Sequence, residues 1–186
     1  MKSKQLQKYM VPLSDYATVN ENATLYEAVI ELEKVRQDFG PGKHPHRAVL
    51  VKDGEDKIVG KLSLWDVIKA LEPRYREITD FKHSMRFGFS TQFVHAMVQN
   101  YGLWQKPIED ICRKAAGTRV KDVMYTPAEG EYVKEDATFD EAVHMLVIGH
   151  HQSLLVTDKK GEHVIGVLRL VDVFNEISDL IKANKP

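Results

Sequence analysis

A chain of 186 residues with 43% apolar and 28% charged residues has the composition of a globular protein of one large or two small domains. Its formal net charge of −1 argues against a dominant nucleic-acid or membrane surface, and its single cysteine, Cys112, excludes an internal disulfide and fits a reducing cytoplasm. No run of 18 apolar residues is present, and Met1–Gln5 lacks the apolar stretch of a signal peptide, so a cytoplasmic location is expected.

In chain order, Ala17–Val19 reads as a short extended piece. Thr24-Leu25-Tyr26-Glu27 is a capping box, in which the Thr hydroxyl and the Glu carboxylate satisfy free N–H groups at a helix start. Leu25, Ala28, Val29, Leu32 and Val35 then recur at helical spacing, and Phe39-Gly40-Pro41-Gly42 should end that helix. Ala48–Val51 is a compact apolar run, read as a buried strand, and Asp53-Gly54 turns the chain into a second strand, Ile58–Leu62. A helix from about Leu64 to Leu71 stops before Pro73.

The segment from about Arg74 to Arg119 differs in character: it carries eight Lys/Arg and four Asp/Glu, a net +4. Phe89, Phe93, Met97, Tyr101 and Trp104 recur at spacings of four and three, which predicts a helix with an apolar stripe. That stripe is expected to pack on the rest of the chain or on a second subunit, with a docking face for another protein as the alternative. Basic and aromatic residues do not interleave as a nucleic-acid module would need. Cys112 falls at an expected helical core position, as a small buried hydrophobe rather than a nucleophile.

The remainder repeats the opening. Met10–Leu32 aligns with Met124–Leu146 at an offset of 114, with 9 of 23 positions identical. Thr138-Phe139-Asp140-Glu141 is again a capping box, Ser153–Thr157 and Val164–Leu168 should pair through Lys159-Lys160-Gly161, and Leu170 to about Ile181 forms the last helix. His46–Val51 matches His151–Val156, and Gly60–Val67 matches Gly166–Val173. A unit of about 60 residues buries only about 60% of its unfolded surface, so two copies should share a core about a pseudo-two-fold axis. The fold class expected is α+β: two β-α-β-β-α repeats with their sheets packed together and a helical insert between them. The expected boundaries are 4–73, 74–118 and 119–183.

Gly60-Lys61-Leu62-Ser63-Leu64-Trp65-Asp66 leads from a strand straight into a helix. Gly60 allows a close backbone approach. Ser63 lies at the helix start, where free N–H groups favour an anion such as phosphate. Asp66 offers two acceptor oxygens, and a cis-diol presents two donors at matching separation, so a ribose suits it. Ser63-x-x-Asp66 is equally a plain helix cap worth about 1 kcal/mol. Copy two keeps the acid as Asp172 but has Arg169 in place of the serine, which removes the cap.

Two such repeats, each ending in Gly-x-x-(Ser/Thr)-x-x-Asp or its Arg169 variant, resemble a tandem pair of CBS (cystathionine-β-synthase-type) domains, a Bateman module. That resemblance implies two packed three-stranded sheets and two clefts that take adenosine ligands. It implies Thr18, Val19, Gly60, Ser63 and Asp66 for the first site, and Tyr132, Val133, Gly166 and Asp172 for the second, with Arg169 either pairing with a phosphate or filling the cleft. His46 and Arg47, with His151 in the matching place, resemble a His-Arg pair that reaches phosphate in some members. The second strands lack the proline often found there, with Val49 and Leu154 instead. His44, His46, His150, His151 and His163 carry no nearby cysteine, so no metal site is expected. No nucleophile with an ordered base and no Walker-type loop is visible, so catalysis is not expected. The function expected is a non-catalytic regulatory module that binds AMP, ADP, ATP or a similar adenosyl ligand, requires no cofactor, forms a homodimer and signals to a protein partner. The alternative is a ligand-free scaffold dimerising through its helices and aromatic insert.

Overall fold

The computed structural model describes residues 6–37, 47–75 and 90–184. The expected helix end at Phe39–Gly42, the histidines His44 and His46, and Phe89 of the stripe lie outside the described residues. The elements run β1 (Val11–Pro12), β2 (Thr18–Asn20), α1 (Leu25–Gln37), β3 (Ala48–Lys52), β4 (Ile58–Ser63) and α2 (Leu64–Ala70). Then follow α3 (Thr91–Asn100), α4 (Ile108–Ala116), α5 (Val120–Val123), β5 (Tyr132–Lys134), α6 (Phe139–Gly149), β6 (Ser153–Thr157), β7 (Val164–Arg169) and α7 (Leu170–Ala183).

Local chemistry starts the first helix of each repeat in the same way. The Thr24 N–H donates to Glu27 Oε2 at 2.7 Å and the Glu27 N–H to Thr24 Oγ1 at 3.3 Å. The Thr138 N–H donates to Glu141 Oε2 at 2.7 Å and the Glu141 N–H to Thr138 Oγ1 at 3.2 Å. Each helix then serves as the crossover between two parallel strands, β2 with β3 and β5 with β6. The antiparallel hairpins β3–β4 and β6–β7 close the units, with a register shift at the same place in both, after Val51 and after Val156.

Burial follows the strand alternation. Val49, Val51 and Leu62 face α1 in one core, with Val19, Leu25, Ala28 and Leu32. Leu154, Val156 and Leu168 do the same in the other, with Val133, Phe139, Ala142 and Leu146. The opposite faces of the central strands supply Leu50 and Leu155, which join Tyr16, Ile58 and Val167 in a third cluster formed by both repeats. The shared core expected of two marginal units is this cluster.

The expectation of two three-stranded sheets is corrected on one side. One sheet is β2-β3-β4, but the other is β1-β7-β6-β5, because the leader of repeat one crosses to repeat two. Val11 pairs with Val167 and Pro12 with Gly166. The leader of repeat two makes the reciprocal crossing as a single bridge: the Tyr125 N–H donates to the Lys61 carbonyl, and the Lys61 N–H to the Tyr125 carbonyl, each at 2.9 Å. Pro12 suits an edge strand, having no N–H to leave unpaired.

The aromatic stripe is only partly helical. α3 carries Phe93 and Met97 and ends at Asn100, while Gly102 and Trp104 take left-handed backbone (φ +58° and +56°). Those two conformations turn the chain so that Leu103 is buried. The turn is held by buried Glu72, which accepts the Trp104 N–H at 3.1 Å and the Arg74 Nε–H at 2.8 Å. Burial pushes the Glu72 carboxyl up, but these bonds and the Arg74 charge outweigh it and hold the group below its ordinary value. The core position expected for Cys112 is also corrected: the cysteine is exposed. Ala115 is the buried residue of α4 and Ile111 is half-buried one turn before it, so Cys112, one residue on from Ile111, is rotated off that face.

Candidate functional site

Each repeat places its acid at the turn from its last strand into its last helix. In repeat one, the Ser63 N–H donates to Asp66 Oδ2 at 2.8 Å, the Ser63 hydroxyl to the same oxygen at 2.6 Å, and the Asp66 N–H to Ser63 Oγ at 3.3 Å. The helix cap therefore forms, yet it draws on one carboxylate oxygen. Asp66 Oδ1 accepts no bond among the described residues, and the side chain is half-buried rather than walled in.

The equivalent turn in repeat two is built differently. Arg169 gives α7 no side-chain cap. Its guanidinium grips Asp172 with a two-pronged bond, Nε–H to Oδ2 at 2.5 Å and Nη2–H to Oδ1 at 2.6 Å. The side chains are 13% and 20% exposed. Tyr16, buried in the inter-repeat cluster, lies within reach of both charges. Burial pushes its phenol up to about 12, with Arg169 pulling down and Asp172 pushing up.

Both turns are met by the leader of the other repeat. At Gly60, an added Cβ would lie 2.5 Å from Met124 Sδ and 3.1 Å from the Tyr125 carbonyl oxygen. At Gly166 it would lie 2.6 Å from the Val11 carbonyl oxygen and 3.0 Å from Met10 Sδ. The close approach read from Gly60 is thus made in both copies by the protein's own leader, nearest through the Met124 side chain at Gly60 and through the Val11 backbone at Gly166.

A charge network centred on a buried glutamate, which the sequence reading missed, stands beside the first turn. Lys61 precedes Ser63 by two residues on β4, so the two side chains share a face. Lys61 Nζ bonds Glu131 Oε2 at 2.5 Å, with side-chain exposures of 19% and 3%, and lies 5.0 Å from the centre of the Tyr125 ring. The Tyr125 hydroxyl donates to Glu131 Oε1, which also accepts the Ala128 N–H at 3.2 Å. Burial pushes the Glu131 carboxyl up, but the bonds from Lys61 and Tyr125 more than reverse it and hold it below the ordinary glutamate value. The Tyr125 phenol is pushed up to about 12, first by its bond to Glu131, then by burial and by the charges of Glu131 and Asp66. A signal existed: at the repeat offsets, Val11, Ala17 and Val167 become Tyr125, Glu131 and Lys61, three polar departures that meet in space.

The other expected site residues fall around these turns unevenly. Thr18 is half-buried on β2, whereas Val19 and Val133 are core residues whose side chains face away from any surface. Arg47 is exposed at the start of β3, and its carbonyl accepts the Leu64 N–H at 3.1 Å, beside Ser63. His46 lies outside the described residues. His151 folds over the end of α6, where a Cβ at Gly149 would lie 2.1 Å from its Nε2. Tyr132 is half-buried against the inter-repeat cluster, its phenol raised by burial and then by the Glu131 charge. No group of three or more His, Cys, Asp or Glu suited to a metal ion occurs among the described residues. No described helix is long and apolar enough to cross a membrane.

A duplicated βαββα unit whose copies exchange their leaders, share a core and carry an acid at matched strand–helix turns defines a tandem-repeat module. The chain belongs to the CBS domain family, whose model matches residues 7–73 and 120–179, so it is a tandem CBS pair. No curated protein sequence matches it. Among solved structures it is similar to the CBS-pair protein CBSX2 from Arabidopsis thaliana, with a TM-score of 0.61, 17% identity and coverage of 99% of this chain and 100% of that one. CBSX2 in complex with AMP is similar at a TM-score of 0.57 and 16% identity, over 95% of this chain and 97% of that one. The cytosolic domain of the Mg2+ channel MgtE in complex with ATP follows at 0.55 and 18%, over 94% of this chain and 50% of that one.

Proposed function

We propose that this protein is a non-catalytic regulatory module that binds an adenine nucleotide (AMP, ADP, ATP or a similar adenosyl ligand) in the cleft between its repeats, mainly at Ser63 and Asp66. The observation that carries this reading is the half-buried Asp66 carboxylate, one oxygen of which accepts no bond among the described residues. That oxygen and its hydrogen-bonded neighbour suit the two hydroxyls of a ribose. Arg47, exposed beside this turn, suits the phosphate. The AMP and ATP complexes of similar folds support the ligand class.

The mechanism is differential affinity. A ligand touching both a repeat-one turn and the repeat-two leader favours one arrangement of the repeats, and a partner that prefers that arrangement tunes ligand affinity in return. In this reading the protein is a cytoplasmic homodimer that reports nucleotide level to a protein partner, with repeats at 4–73 and 119–183.

Thermal melting with each nucleotide tests the reading. At 100 times Kd the ligand stabilises by about 2.7 kcal/mol, or roughly 5–10 °C for a chain of this size. Asp66→Ala should abolish the shift while costing only the cap, about 1 kcal/mol. No shift with any adenosyl compound would favour the ligand-free scaffold, and a shift surviving Asp66→Ala would put the ligand elsewhere.

A further inference from the structure

The two acids are placed alike and satisfied unlike. Asp66 receives both bonds of its serine on Oδ2. Asp172 gives up both oxygens to two N–H groups of one planar guanidinium. Two donors held side by side against one carboxylate is also what a ribose diol would offer, so Arg169 meets the demand that a ligand would meet. A ligand arriving at Asp172 must displace a two-pronged ion pair that is mostly buried. At Asp66 the competing group is a serine hydroxyl and one N–H, both on the other oxygen.

We infer that Arg169 is the chain's own occupant of the second turn, that it shuts that cleft to adenosine ligands, and that the chain binds one ligand rather than two. The inference rests on the reading of Asp66 as a ribose-binding acid. Repeat one supplies the template for reversing the change. A serine at position 169 can cap α7 and hold one oxygen of Asp172, as Ser63 does for Asp66, and leaves the other oxygen open.

Isothermal titration with AMP, and in parallel with ATP, reads the number of sites per chain in the 186-residue protein. The expected result is one site in the wild type and two in Arg169→Ser. The added site should vanish in Arg169→Ser/Asp172→Ala and be the one that remains in Arg169→Ser/Asp66→Ala. Arg169→Gln, which removes the charge and the two-pronged fork but keeps the first three side-chain carbons, provides the same readout should the serine variant fold poorly. Two sites in the wild type would overturn the inference. So would a variant that keeps one site, lost with Asp66→Ala, and that result would leave the Asp66 reading intact. No site in the wild type but one in Arg169→Ser, lost with Asp172→Ala, would uphold the role of Arg169 and sink the assignment to Asp66. No binding by any variant would overturn both.

Discussion

Glu131 is 3% exposed and carries its charge only because three groups surround it: the Lys61 ammonium, the Tyr125 hydroxyl and the Ala128 N–H. Removing one partner of such a pair strands the other, which typically costs about 3–5 kcal/mol. Lys61 keeps some access to water, so Glu131→Ala should cost about 3 kcal/mol, read as a lower urea midpoint. The pH dependence has a definite sign. The carboxyl is held below its reference value of 4.5, so its contribution is complete above that value and is lost as pH falls through the folded-state value. Urea midpoints from about pH 3 to about pH 7 should therefore fall less steeply on the acid side in Glu131→Gln than in the wild type. An unchanged acid slope would show that the pair adds nothing. At this scale the sequence showed Ser63 and Asp66 because their spacing is local. It hid Glu131, whose partner Lys61 is 70 residues away.

Capping boxes and apolar runs are local patterns too, which is why most elements were legible. Capping boxes at Thr24 and Thr138 and the buried runs at Ala48–Val51 and Ser153–Thr157 each announce themselves within a few residues. β1 was not legible: two residues have no periodicity, and their pairing with Val167 and Gly166 is set by tertiary approach. The stripe from Phe93 to Trp104 keeps helical spacing in sequence past the helix end at Asn100, where spacing alone does not reveal the left-handed turns at Gly102 and Trp104 that break the helical path. The glycines record the leader crossings. At Gly166 a methyl meets a backbone oxygen at 2.6 Å, which cannot swing aside, whereas at Gly60 the nearest atom is the flexible Met124 sulfur. Gly166→Ala should therefore cost about 1–3 kcal/mol, and Gly60→Ala less. Gly166→Ala should also speed proteolysis near Val11 as β1 leaves the sheet. Equal melting losses for the two variants would contradict the proposed difference.

For the whole molecule, duplication does two things. It joins two marginal units through Leu50 and Leu155, and it doubles whatever each unit leaves uncovered. On α2, Trp65 is 70% and Ile68 54% exposed; on α7, Phe174, the repeat equivalent of Ile68, is 64% exposed. Equivalent apolar positions exposed on two pseudo-symmetric helices suit a two-fold partner, because each helix can meet its like. Apolar groups of this size contribute about 1.5–3 kcal/mol each when fully covered, so a few of them can decide association. The homodimer proposed above should use these two helices. Ile68→Glu/Phe174→Glu places a charge at both equivalent positions without touching Asp66 or the inter-repeat core. Sedimentation velocity should show a dimer for the wild type and a monomer for the double variant, with the melting transition still cooperative. A double variant that stays dimeric would move the interface to the insert, where Val94 and Val98 of α3 are exposed, and Val94→Glu would then be the variant that separates the subunits.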